Sequence, residues 1–223
     1  MNKLKYKIAF VLALFIFYST VLTAQVQVSK EPHHKNVLEN KYVRLLDVWI
    51  NPGDITFFHI HSTPSLFLHF TNTDAGTQIM GREWTKSRNG MGNASYRSFA
   101  NDTLVHRVGN FDTALFHVTD IELLSSYKPN IPIQPLPFTV LFDNEKAIAY
   151  KLTQSSFDKK IISNRRPIIA ELVQGQEVIY YDVLKKKTTS ILTGIYLYIN
   201  PDSSFYFTAN ENETIHMVLF EIK

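Results

Sequence analysis

The sequence contains no cysteine. Disulfides, iron–sulfur clusters, thiolate zinc sites and cysteine nucleophiles are thereby excluded, so the core alone must hold the fold and His, Asp and Glu must carry any metal chemistry. Surplus charge is lacking as well. The formal net charge of +3 comes from Lys3, Lys5 and Lys7, and the residues after Ala24 carry basic and acidic side chains in equal number. Without a basic excess there is no electrostatic basis for binding DNA, RNA or an anionic membrane surface. Nucleic acid is therefore not a partner of this chain. Helical periodicity is also missing: from Lys41 onward no apolar pattern of period 3.6 is sustained. With 45% hydrophobic and 13% aromatic residues, the chain can nevertheless bury a substantial core.

What is present first is an N-terminal signal. Three lysines precede an apolar run, Ile8–Phe17, that is too short to span a bilayer core, and Thr23-Ala24-Gln25 offers a small residue at the expected cut. Residues 1–24 are expected to be a signal peptide and the protein to be secreted or periplasmic, touching a membrane only through this segment before cleavage. An uncleaved anchor is the alternative, because Leu22 occupies the third position before the cut. No cysteine follows the run, so lipid attachment is excluded.

After a polar tail, residues 25–40, short β-branched and aromatic runs alternate with Gly, Asn, Asp, Pro and Ser clusters, which is an all-β pattern. Strands are predicted at Val43–Ile50, Ile55–His61, Leu66–Thr71, Gln78–Trp84, Ser95–Ala100, Leu104–Val108 and Ala114–Leu124. Residues 128–138 hold four prolines, which deny a sheet its backbone donors and mark a linker or an extended edge segment. Beyond it, strands are predicted at Ala147–Thr153, Lys159–Ser163, Ile168–Val173, Val178–Leu184, Ile191–Ile199, Ser204–Thr208 and Thr214–Ile222. The halves, residues 41–127 and 139–223, look alike. Val43-Arg-Leu-Leu-Asp-Val matches Ala147-Ile-Ala-Tyr-Lys-Leu, and the same offset places His59 on Ser163 and His61 on Arg165. Near the end of each half, His106 falls on Tyr206.

The chemistry concentrates in one stretch. In Pro52-Gly53-Asp54-Ile55-Thr56-Phe57-Phe58-His59-Ile60-His61 a turn leads into a strand, and period-2 alternation places Phe57, His59 and His61 on one face. Two imidazoles at i and i+2 can converge on one ion, with His106 as the third. His69 shares a predicted face with Ser65 and Phe67 and is a candidate fourth ligand or catalytic proton carrier. Glu83 is a candidate acid, and Phe57, Phe67, Trp84 and Phe99 could form an apolar wall for an organic ligand. His33-His34 lies in the tail without an evident partner, and Lys185-Lys186-Lys187 reads as a solvated hairpin tip.

These residues resemble the cupin superfamily, whose first motif runs Gly, five residues, His, one residue, His, three or four residues, Glu, six residues, Gly. Gly53, His59 and His61 fit it, while Ser65 or Leu66 stands at the Glu position. The second motif runs Pro-x-Gly, two residues, His, three residues, Asn; His106 and Asn110 fit, and Asn101 and Thr103 replace Pro and Gly. The resemblance implies double-stranded β-helix (jelly-roll) barrels in two tandem halves, the first binding one divalent metal (Fe, Mn, Ni or Zn) through His59, His61 and His106, the second degenerate and structural. It implies three competing functions: a metal-dependent oxygenase acting on a small organic substrate, a non-catalytic module that binds a small molecule or forms a homodimer through barrel edges, and a metal-independent isomerase or lyase using His69 or His117.

Overall fold

The computed structural model describes residues 25–130 and 132–223. The expected signal peptide lies outside the described residues. Among the described residues four sheets are formed. The first has the order β1 (Val26–Gln27), β4 (His59–His61), β9 (Leu104–Asn110), β6 (Thr73–Ile79), β7 (Trp84–Asn89). The second has the order β2 (His34–Glu39), β3 (Val43–Ile50), β10 (Phe116–Leu123), β5 (Ser65–His69), β8 (Ala94–Arg97). These two enclose the first barrel, around Leu46, Val48, Ile50, Ala75, Phe116 and Val118.

The second half repeats this arrangement. Its larger sheet runs β11 (Thr139–Asp143), β12 (Ala147–Thr153), β18 (His216–Ile222), β13 (Ile168–Gln174), β16 (Tyr196–Ile199). That is the order of the second sheet, strand for strand. Its smaller sheet, β15 (Lys187–Leu192), β14 (Glu177–Asp182), β17 (Phe205–Ala209), matches β7, β6 and β9. The counterpart of β4 is reduced to one bridge, Ile162 to Phe205.

The two large sheets pack back to back. Val43, Leu45, Leu66, Leu68, Ile121 and Leu123 from the first half form one cluster with Ala147, Ala149, Ile169, Val218, Phe220 and Ile222 from the second. Strands β10 and β18 are thus covered on both faces, by a barrel interior and by the seam. This explains why Met217-Val-Leu-Phe220 is a continuous apolar run instead of an alternating one.

Several sequence expectations change here. The tail, residues 25–40, is not a tail: it contributes β1, a 3-10 turn at Val28–Lys30 and β2, because its backbone completes both sheets of the first barrel. The predicted strand Gln78–Trp84 crosses a hairpin whose turn includes Gly81 at φ +76°, and Ile191–Ile199 is broken by Gly194 at φ +77°, a conformation that glycine adopts without penalty. Lys159–Ser163 forms only the single bridge. The proline-rich segment carries no strand among its described residues and packs against the second core through Leu136.

The seam also holds a polar cluster. His117 lies between Trp49 (ring centroids 3.6 Å apart) and Phe70 (4.5 Å), with its Nε2 2.8 Å from Asp47 Oδ1. Glu171 is fully buried, and neither of its carboxyl oxygens has a hydrogen-bond partner. Burial pushes this carboxyl up to about 8, the charge of Asp47 adding to the rise. A raised carboxyl pKa stabilises the fold below the unfolded value, and that stability is lost as pH climbs toward the folded value. The Glu171→Gln variant should therefore match the wild type near pH 4 and outlast it increasingly up to pH 8, by roughly 1.4 kcal/mol per pH unit. Melting temperatures measured across this range check it; a constant difference would contradict it.

Candidate metal centre

Strand β4 holds the site because of its neighbours. It pairs antiparallel with β9 in a register that sets His59 opposite His106, while His61 follows His59 on the same face. Directly opposed residues have Cβ atoms about 5 Å apart, close enough for two rings to meet. The three imidazoles form a near-equilateral triangle, with ring centroids 5.1 Å (His59–His61), 4.6 Å (His59–His106) and 4.9 Å (His61–His106) apart. One nitrogen from each lies within 4.8 Å of the other two. The structure thus brings together the three histidines that the motif spacing singled out.

Most of these nitrogens lack partners. His59 Nδ1 donates to the Phe57 carbonyl at 2.9 Å, which leaves Nε2 as the lone-pair nitrogen, and that atom is buried with nothing to bond. His61 Nδ1 and both ring nitrogens of His106 are likewise buried and unpartnered. Buried polar groups are ordinarily satisfied, so four unsatisfied imidazole nitrogens in one cluster fit a divalent ion. Burial and, next, the His34 charge hold the His59 pKa down at about 4. Burial and the neighbouring His59 hold His106 at about 3, and burial with His106 pushes His61 lower still. The rings are neutral at pH 7, the form that ligates.

A cavity of about 200 Å³ opens beside the triangle, lined among others by His34, Phe67, His69, Phe116 and Asp120. Phe99 stacks on His61 at 5.0 Å with its backbone in the left-handed region (φ 51°), a costly conformation for an aromatic residue. His69 reaches the cavity on the same strand as Ser65 and Phe67 but stands outside the triangle. Its Nδ1 has no partner and burial holds its pKa at about 4. Asn110 plays a framework role, its amide donating to the Ile50 and Ala114 carbonyls.

The acid at the site is Asp120, which sequence reasoning did not single out. Its Oδ2 lies 3.5 Å from His61 Nδ1, and burial, reinforced by the charge of Glu122, pushes its carboxyl up to about 8. An acidic residue in the apolar strand Phe116–Leu123 was the available signal. Glu83 is exposed in the β6–β7 turn and takes no part. Phe57 is 65% exposed: the backbone between Thr56 and His59 is irregular, which breaks the alternation and turns this ring to solvent. Trp84 packs on Phe111 and Arg107 outside the cavity. Of the four aromatic residues expected at the wall, Phe67 lines the cavity and Phe99 covers His61, while Phe57 and Trp84 do neither.

His34 was the other residue missed. It lines the cavity with its ring 4.7 Å from His59, and its Nδ1 is 2.7 Å from Glu31 Oε2. Burial raises the Glu31 pKa, but hydrogen bonds from His34, His33 and the Phe57 amide outweigh it and bring the carboxyl down to about 2.

In the second half the equivalent positions are spent on structure. Ser163 bonds Ser204 at 2.8 Å, Arg165 donates to Glu221 at 2.6 Å and to the Gln134 carbonyl, and Tyr206 stacks on Tyr181. Tyr150, Phe205 and Phe207 fill that barrel.

Comparison with solved structures agrees with this architecture. A cupin 2 conserved barrel domain protein from Leptotrichia buccalis superposes with TM-score 0.54 at 11% identity, over 92% of this chain and 94% of its own. The fold is that of the cupins. A variant of the salicylate 1,2-dioxygenase from Pseudoaminobacter salicylatoxidans matches with TM-score 0.54 at 10% identity, over 81% of this chain and 70% of its own. Oxalate decarboxylase from Bacillus subtilis, which contains Mn(II) centres, matches with TM-score 0.50 at 11% identity, over 82% and 69%. No protein-family model and no curated protein matches the sequence.

Leucine at position 61 removes a buried Nδ1 that makes no hydrogen bond, its Asp120 neighbour standing 3.5 Å away. The metal-free His61→Leu variant should therefore melt at or above the wild-type temperature, whereas loss of a hydrogen-bonded core histidine costs about 1–3 kcal/mol. Thermal unfolding in chelator tests this, and a large loss of stability would mark His61 as a framework residue.

Proposed function

We propose that this chain is a metal-dependent cupin enzyme that binds one divalent ion through His59, His61 and His106 and acts as an oxygenase on a small organic substrate in the adjoining cavity. The observation that carries the reading is the convergence of three buried imidazoles, four of whose nitrogens have no partner in the protein. A cofactor of Fe, Mn, Ni or Zn suits neutral imidazoles. A salicylate 1,2-dioxygenase and a decarboxylase with Mn(II) centres share this fold, so the fold is compatible with a metal centre of this kind.

When bound, the ion supplies Lewis acidity and open coordination positions. The protein supplies the rest. The Phe57 carbonyl fixes the His59 tautomer so that Nε2 presents its lone pair. Phe67 and Phe116 give the cavity an apolar side, and its volume admits only a small substrate. Asp120 holds a proton at neutral pH beside His61, and His69 offers a neutral imidazole at the same cavity; we assign proton transfer to these two. His117 lies in the seam and does not line the cavity, which leaves His69 as the histidine of the metal-independent alternative. Export through residues 1–24 to a secreted or periplasmic location belongs to the same proposal and rests on the sequence pattern.

Elemental analysis of the purified protein, before and after supply of iron, manganese, nickel and zinc, tests the reading. About one equivalent of one metal is expected, lost in His59→Ala, His61→Ala and His106→Ala. With the iron-loaded protein, oxygen uptake in the presence of small aromatic acids such as salicylate should depend on His61 and fall in His69→Gln. Absence of any metal after supplementation would sink the proposal.

A further inference from the structure

Glu31 is 1% exposed, and its carboxyl oxygens serve four donors. His33 donates from its backbone nitrogen at 2.7 Å, the His33 and His34 rings lie at 3.0 and 2.7 Å through Nδ1, and the Phe57 amide donates at 3.2 Å. Two of these lead to the same place. Phe57 is the residue whose carbonyl orients His59, and His34, with its Nδ1 committed to Glu31, sets its ring against the His59 ring. The segment also touches His59 by its backbone, since β1 runs parallel to β4 with Val26 beside His59 and Gln27 beside Ile60. Val28, between these contacts, is buried in the first core.

We propose that residues 26–39 form a strap that clasps the metal centre, with Glu31 and His34 as positioning residues for the His59 imidazole. The proposal rests on the triangle being a metal centre. Glu31 acts on His59 indirectly, through the Phe57 amide and the His34 ring. Carboxylates and backbone groups that orient a ligating histidine typically contribute roughly 10–100-fold to metal affinity. Because coupling is reciprocal, whatever the docked strap contributes to ion binding, the ion returns to docking of the strap.

Cobalt(II) is a suitable probe, since its visible absorption reports the ligand field directly. In the full-length protein, Glu31→Gln should weaken cobalt binding roughly 10–100-fold and shift the absorption bands, with metal-free unfolding showing that the variant is folded. His34→Gln, which keeps a donor toward Glu31 but removes the ring from His59, should give a smaller loss of affinity and again a band shift. Hydrogen exchange supplies the second readout: cobalt should slow backbone exchange in residues 26–39 of the wild type, and much less in Glu31→Gln. Wild-type affinity and spectrum in both variants, or strap exchange that ignores cobalt, would overturn the clasp while leaving the metal centre intact. A wild type that takes up no cobalt would overturn both.

Discussion

The antiparallel register of β4 against β9 is the constraint on which the site depends. It sets His59 opposite His106, and the pleat then carries His61 to the same side. A slip of one residue would turn both imidazoles of β4 outward. The register is secured from outside the site. The Thr56 amide donates to the Val108 carbonyl while its hydroxyl accepts the Val108 amide. One turn earlier the Gly53 amide donates to the Asn110 carbonyl, and the Asn110 amide donates to the Asp54 carbonyl. A strand of only three residues can hold two rings in fixed positions against His106 of β9 because its entry is clamped in this way.

Burial then gives the triangle its chemistry. Removed from water and set against one another, the imidazoles cannot charge, and most of their nitrogens face no donor or acceptor. Such an arrangement is expensive for a core and appropriate for a ligand set. Around it the same low-dielectric surroundings keep Asp120 protonated while the densely hydrogen-bonded Glu31 stays ionised, so two carboxyl groups near one cluster of histidines hold opposite charge states.

The back-to-back seam gives the second half a packing role without a histidine cluster. The second barrel covers the outer face of the β3–β10–β5 sheet, and its own interior is filled with aromatic side chains. Where the first half has His59 and His61, the second has a serine pair, Ser163 with Ser204, and the Arg165–Glu221 ion pair. The two halves share a strand order and differ in what fills their interiors, histidines in the first and aromatic side chains in the second.

How much of this was legible depended on range. The sequence by itself determined the all-β class, the absence of thiol chemistry, the repeat, and His59, His61 and His106, because alternation, composition and motif spacing are local properties. It misplaced Phe57, since a short irregular stretch suffices to break a period of two, and it ran Gln78–Trp84 through a turn that one glycine makes. Glu31 and His34 were hidden because a polar segment looks like a tail until a parallel strand draws it beside β4. Asp120 was hidden because an acid in a strand suggests a solvent-facing position, whereas both faces of β10 are buried by elements far away in the chain. Only the tertiary structure decided which acids stand beside the triangle and that His34 joins His69 there, because those contacts are made by strand pairings and sheet packing that no local pattern encodes.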